Sequence, residues 1–75
     1  MSVRITMADK ILQYRHKKHL SQFDFAEDCG ISDDCLSLLE NGAGNPRLDT
    51  MEKIAERIGI PLWELMDPNK QLKLE

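Results

Sequence analysis

Residues 22–41, QFDFAEDCGISDDCLSLLEN, constrain this chain more than any other stretch, because they hold two short amphipathic segments that meet at a glycine. Phe25, Ala26 and Cys29 fall at i, i+1 and i+4 on one helical face, and Leu36 and Leu39 fall at i and i+3 on another. Neither stripe can be buried alone, so each segment needs a partner. Gly30 stands where the first segment must stop, since a left-handed residue there costs least without a Cβ. Ile31 plugs the corner. Ser32 is placed to cap the second segment, and Asp33 and Asp34 occupy its first turn, where negative charge suits the helix dipole. The small Ala26 marks a point where two crossing helices can approach closely. The pattern predicts two helices joined by a tight turn.

The flanking sequence supplies three more helices. Residues 1–6, MSVRIT, alternate Val3 and Ile5 with polar residues and read as a short strand or an extended arm. Thr6, with Asp9 three residues on, then caps a helix over residues 7–18. Its apolar face is Ala8, Ile11 and Leu12, continued by Arg15, whose charge on a core-facing stripe demands a counter-charge. Leu20 anchors the loop, and Ser21 caps the next helix with Asp24 at N3. Phe23 and Phe25 lie about 200° apart on that helix, so Phe25 faces the core and Phe23 is left exposed. After Asn41 and Gly42 comes turn chemistry, with Pro46 keeping Asn45 extended. Asp49 is expected to cap a fourth helix that buries Met51, Ile54, Ala55 and Ile58 and ends at Gly59. Leu62, Leu65 and Met66 form a short fifth helix, stopped by Asp67 and Pro68. The expected fold is all-α, with five short helices. Its expected divisions are an arm or strand at 1–6, a helical domain at 7–67 and a polar tail at 68–75.

A chain of 75 residues makes one domain and buries only roughly 60% of its unfolded surface. The two cysteines, Cys29 and Cys35, match neither a redox nor a zinc spacing and read as reduced thiols. His16 and His19 lack a third ligand, so no metal site is predicted. No nucleophile stands with a base and no glycine loop cradles a phosphate, so neither an enzyme nor a bound cofactor is expected. No apolar run approaches ~20 residues and no signal-peptide pattern opens the chain, which gives the expectation of a cytoplasmic protein without a membrane partner.

The segments LSQFDFAEDCGIS, LSLLENGAGNPRLDTMEKIAERIGI and PLWEL resemble the DNA-binding domains of the phage lambda and 434 repressors and Cro. The resemblance covers about residues 7–67 and rests on Leu20-Ser21-Gln22, Ala26, Gly30, Leu39-Glu40-Asn41-Gly42, Pro46, Ala55 and Gly59 at fixed spacing. It implies a helix-turn-helix formed by helices 2 and 3. Gln22 matches a glutamine that contacts the DNA backbone and orients the recognition helix. Arg15 and Glu40 match a partly buried ion pair. Asn41, Asn45 and Arg47 match the loop that lies along the phosphates, and Asp33, Asp34, Ser37 and Leu38 match positions directed at the bases. The family implies double-stranded DNA as the partner of a transcriptional regulator, acting as a homodimer.

The charge pattern departs from that family. Residues 21–41 carry six acids and no Lys or Arg, residues 1–20 carry five bases against one acid, and the whole chain is at −3. Affinity for duplex DNA rests largely on cations at phosphates, whereas an Asp can still accept from a cytosine amino group and Leu38 can touch a thymine methyl. Two function classes follow: a DNA-binding regulator, or a protein-interaction module on the same fold with Phe23 and Leu38 as its apolar patch. The alternating ends, Val3 with Ile5 and Leu72 with Leu74, have three readings. They pair with each other, they pair across a two-fold axis in a dimer centred on Trp63 and Leu62, or they fray.

Overall fold

The computed structural model describes residues 2–72. It contains five helices, α1 (Val3–Lys17), α2 (Gln22–Cys29), α3 (Asp33–Glu40), α4 (Leu48–Ile58) and α5 (Leu62–Met66), and no strand among the described residues. α1 packs on α3 and α5, α2 packs on α3 and α4, and α4 packs on α5. The elements thus close around one core, whose fully buried side chains are Phe25, Met7, Ile11, Leu36, Ile54 and Leu65.

The largest difference from the sequence reading is at the start. Residues 3–6 are not an arm or strand but the first turn of α1, capped by Ser2, whose hydroxyl accepts from the Arg4 N–H at 3.2 Å. Thr6 is therefore inside the helix and buried, and it caps nothing. The alternation of Val3 and Ile5 was compatible with a strand over so short a run, but both residues lie on the outer side of a helical turn, at 49% and 59% exposure. The proposed pairing of this end with the tail fails for the same reason. Leu72 instead packs singly against the core, and Leu74 lies outside the described residues.

The buried face of α1 is also rotated from the expected one. Met7, Ile11 and Tyr14 join the core beside Ala8, while Leu12 is only half-buried. Tyr14 stands 5.7 Å from Phe25, ring centre to ring centre, and its hydroxyl accepts from Arg57 Nη1 at 3.1 Å. Arg57 reaches on to Asp28 at 3.2 Å, so one guanidinium links α4 to both α1 and α2. Lys10 is buried as well. Its ammonium donates to the carbonyls of Glu64 and Asp67 and so holds the C-terminal end of α5, where carbonyls have no partner within the helix.

The turn between α2 and α3 has the expected geometry. Gly30 has φ +76°, its N–H donates to Glu27 O at 3.1 Å, and the N–H of Ile31 reaches back to Ala26 O at 3.0 Å. Those paired bonds form the Schellman closure, which needs a left-handed residue at the glycine position. Ser32 Oγ then accepts from the Cys35 N–H at 3.1 Å and starts α3. α1 closes the same way with His19 at φ +55° in the glycine's place. α4 begins two residues before the expected start, at Leu48. Arg47 occupies its N-cap without a side-chain bond, and Asp49 sits in the first turn, accepting from the Thr50 N–H at 2.9 Å.

Candidate nucleic-acid interface

The surface built around α3 depends on a buried polar junction beneath it. Glu40 ends α3 with a side chain only 5% exposed, and Arg15 approaches it from α1. Arg15 Nε donates to Glu40 Oε2 at 2.7 Å and Nη2 donates to Oε1 at 3.1 Å, the two-pronged geometry that suits a guanidinium and a carboxylate. Arg15 Nη1 donates to Leu20 O at 3.1 Å, and Gln22 Nε2 donates to Glu40 Oε1 at 2.9 Å. Glu40 thus ties together α1, the loop before α2, the first residue of α2 and the end of α3. Gln22 is half-buried by this contact. Its amide oxygen is left free of this bond while the side chain is held beside the N-terminus of α2, where backbone N–H groups favour an anion.

The outer face of α3 carries Asp33, Asp34 and Leu38, all exposed, with Ser37 half-buried beside them. Leu38 is 53% exposed and Phe23, on α2, is 61% exposed. Asp33 Oδ1 accepts from the Asp34 N–H at 3.1 Å, so this carboxylate also serves the first turn of its own helix. Of the six acids in residues 21–41, Glu40 is neutralised by Arg15 and Asp28 is paired with Arg57. The outward charge is therefore milder than the sequence count implies.

Beyond α3 the chain turns through residues 41–47. Asn41 is the exposed C-cap of α3 and donates its N–H to Ser37 and Leu38 carbonyls. The Ala43 N–H closes onto Leu38 O at 2.9 Å, which fixes the loop tightly against the end of the helix. Asn45 and Arg47 are both exposed on it. The loop thus presents Asn41, Asn45 and Arg47 on the stretch that follows the outer face of α3. The sequence reading missed Arg4, whose guanidinium donates to Asn45 Oδ1 from the start of α1. Nothing in residues 1–6 could point to this neighbour while they were read as an arm.

Burial pushes the Cys29 thiol up to about 11, with the Arg57 charge opposing the shift and Asp28 adding to it. Such a thiol is protonated and unreactive at neutral pH. Among the described residues, no group of three or more His, Cys, Asp or Glu side chains is placed to hold a metal ion. No described helix is long and apolar enough to cross a membrane.

Two helices locked across a tight turn, with the second presenting its outer face and a polar loop beside it, define the class of helix-turn-helix DNA-binding domains. Residues 11–65 match the helix-turn-helix family model, and the chain belongs to that family, the Cro/C1 type. It is 30% identical over 63 residues to the cryptic phage CTXphi transcriptional repressor RstR of Vibrio cholerae, covering 84% of this chain and 57% of the repressor. It is 31% identical over 67 residues to control protein C.BamHI of Bacillus amyloliquefaciens, covering 88% of this chain and 83% of that protein. The crystal structure of a hypothetical transcription factor, NHTF from Neisseria, superposes with a TM-score of 0.82 at 28% identity, covering 91% of this chain and 78% of that one. The chain spans little more than half of the phage repressor's length.

Proposed function

We propose that this chain carries out the family's work of DNA-binding transcriptional regulation with α3 in the major groove and the 41–47 loop along the phosphates. The observation that carries the reading is the Arg15–Glu40–Gln22 junction, which fixes the start of α2 and the end of α3 as one rigid unit. A helix can read base edges only if its entry angle is fixed, and phosphate contacts beside it set that angle. Gln22, Asn41, Asn45 and Arg47 serve as those positioning contacts. Ser37 and Leu38 face the bases, and Asp33 and Asp34 complement the dipole of α3 and accept from cytosine amino groups. The chain works by binding and not by catalysis, in the cytoplasm, on double-stranded DNA.

A homodimer completes this reading. One α3 covers one half-site, and two-fold related half-sites lie about 34 Å apart on one face of the duplex. The protomer measures 29 Å along its longest axis, a size suited to that spacing. Trp63, 53% exposed on α5, is the large side chain available for the contact between copies.

The test is selection of bound sequences from a random duplex pool, followed by titration of the winning site at several salt concentrations. A regulator enriches a motif, and its affinity falls steeply as salt rises. A pool with no enriched motif and a flat salt response would refute DNA reading and leave Phe23 and Leu38 as a surface for a protein partner.

A further inference from the structure

Among the described residues, Arg4 is the one cation that the fold brings to the 41–47 loop from elsewhere in the chain through a direct side-chain bond. Because residues 3–6 are helical, α1 starts against that loop, and Ile5 lies over Gly42 with its Cγ1 3.6 Å from where a Cβ on that glycine would stand. Arg4 then reaches Asn45, and its Nη2 donates to Asn45 Oδ1. Arg4 is exposed, as are Asn45 and Arg47. The loop itself contains a single cation, Arg47.

We infer that Arg4 is a DNA phosphate contact, held by Asn45 so that the start of α1 and the 41–47 loop form one phosphate-binding site. A guanidinium has five N–H donors in a planar fork, and the bond to Asn45 uses only one of them. The others point to solvent and match the geometry of a phosphodiester. The bond to Asn45 also removes much of the rotamer freedom that a long side chain would otherwise lose on binding. Charge makes the role more necessary here than on a basic recognition surface. Residues 21–41 offer no Lys or Arg of their own, so cations that neutralise phosphate must come from outside the two central helices. The inference rests on the DNA-binding reading and adds to it a residue outside the helix-turn-helix and its following loop.

The experiment measures binding of a fluorescent duplex, first of mixed sequence and then carrying the selected site, across a salt series. Each phosphate cation contributes about one unit to the slope of log affinity against log salt. Arg4→Ala and Arg4→Gln are each expected to lower the slope by about one unit on both duplexes, and Arg4→Lys to keep it. Arg4→Gln keeps a polar N–H donor on a shorter side chain and removes the charge, and a merely structural Arg4, which touches no phosphate, would leave its slope at the wild-type value. Lys53→Ala removes one positive charge from the surface it shares with Asp28, Glu56 and Arg57, which includes no residue of the loop, and is expected to leave the slope unchanged. If Arg47→Ala lowers the slope while both neutral Arg4 variants do not, this inference is wrong and the DNA reading stands. If the wild-type protein itself shows no salt-dependent binding, the DNA reading fails and takes this inference with it.

Discussion

Replacing Arg15 by alanine tests the junction on which the candidate interface rests. Glu40 is 5% exposed and accepts three hydrogen bonds, two of them from Arg15 at 2.7 and 3.1 Å and one from Gln22 at 2.9 Å. Without Arg15 the carboxylate keeps only a neutral amide donor, and Leu20 O loses its 3.1 Å bond. Removing one member of a buried ion pair costs roughly 3–5 kcal/mol. Arg15 itself is 15% exposed, so water can reach part of the gap and the lower end, about 3 kcal/mol, is expected. In a domain of this size that loss lowers the melting temperature by roughly 12–24 °C. Lys17→Ala, two residues on in the same last turn of α1, is expected to lose only ~0.3–1 kcal/mol through the helix dipole. The double variant Arg15→Ala, Glu40→Gln should recover part of the loss, because the uncompensated charge is gone. Thermal and urea melts followed by circular dichroism read all three. Equal melting of Arg15→Ala and Lys17→Ala would show that Glu40 does not depend on Arg15.

Lys10→Met is expected to cost about 2 kcal/mol in urea unfolding, since the carbonyls of Glu64 and Asp67 lose their donor in a part-buried setting. Gly30→Ala should cost ~1–2 kcal/mol at φ +76° although no atom lies within 4 Å of the new Cβ, so a cost well above that range would implicate packing and not backbone strain. His19→Gly should raise stability by up to ~1 kcal/mol, as His19 holds a left-handed φ of +55° in the same kind of closure; a lower melting temperature would mean that its side chain is needed. For Cys29 the folded thiol titrates at about 11 against an ordinary 9.0, so the stability it contributes is full below pH 9 and is lost as pH rises through about 11. Melting differences between the wild type and Cys29→Ala are therefore expected to shrink from pH 8 to pH 11, and a constant difference across that range would contradict the assignment.

The sequence pointed to the five helices and the turn between α2 and α3 because local chemistry and core pattern agree there: Gly30 and Ser32 stop and restart the helix at the same place where the apolar stripe changes face. Such agreement across levels makes a segment legible. At the start of α1 the levels disagree. Val3 and Ile5 have a two-residue period and β-branched side chains, and the helical alternative is rewarded by the Ser2 cap, the burial of Thr6 and the tertiary approach of Ile5 to Gly42 and of Arg4 to Asn45. Tyr14 and Lys10 escaped for other reasons. Lys10 is buried by polar bonds to α5, for which hydrophobic periodicity carries no signal, whereas Tyr14 continues the Met7–Ile11 stripe at i+7 and combines a core ring beside Phe25 with a polar tip bonded to Arg57.

The same limit governs the candidate interface. A count of charges along residues 21–41 makes α2 and α3 look hostile to a polyanion, yet sequence cannot say which acids are already engaged. Glu40 turns inward to Arg15, Asp28 turns to Arg57, and Asp33 accepts from the backbone of its own first turn. The two ion pairs take Glu40 and Asp28 out of the field that an approaching phosphate would meet, because a paired charge contributes only a dipole at a distance, whereas the Asp33 bond is to a neutral N–H and cancels no charge. The cations follow the opposite rule. Arg15 is used inside the fold and Arg57, on the surface, is engaged with Asp28 and Tyr14, whereas Arg4 and Arg47 stand exposed at the loop that follows α3. An acidic chain can therefore present two exposed arginines beside the end of α3, one from the loop itself and one brought there by where α1 begins.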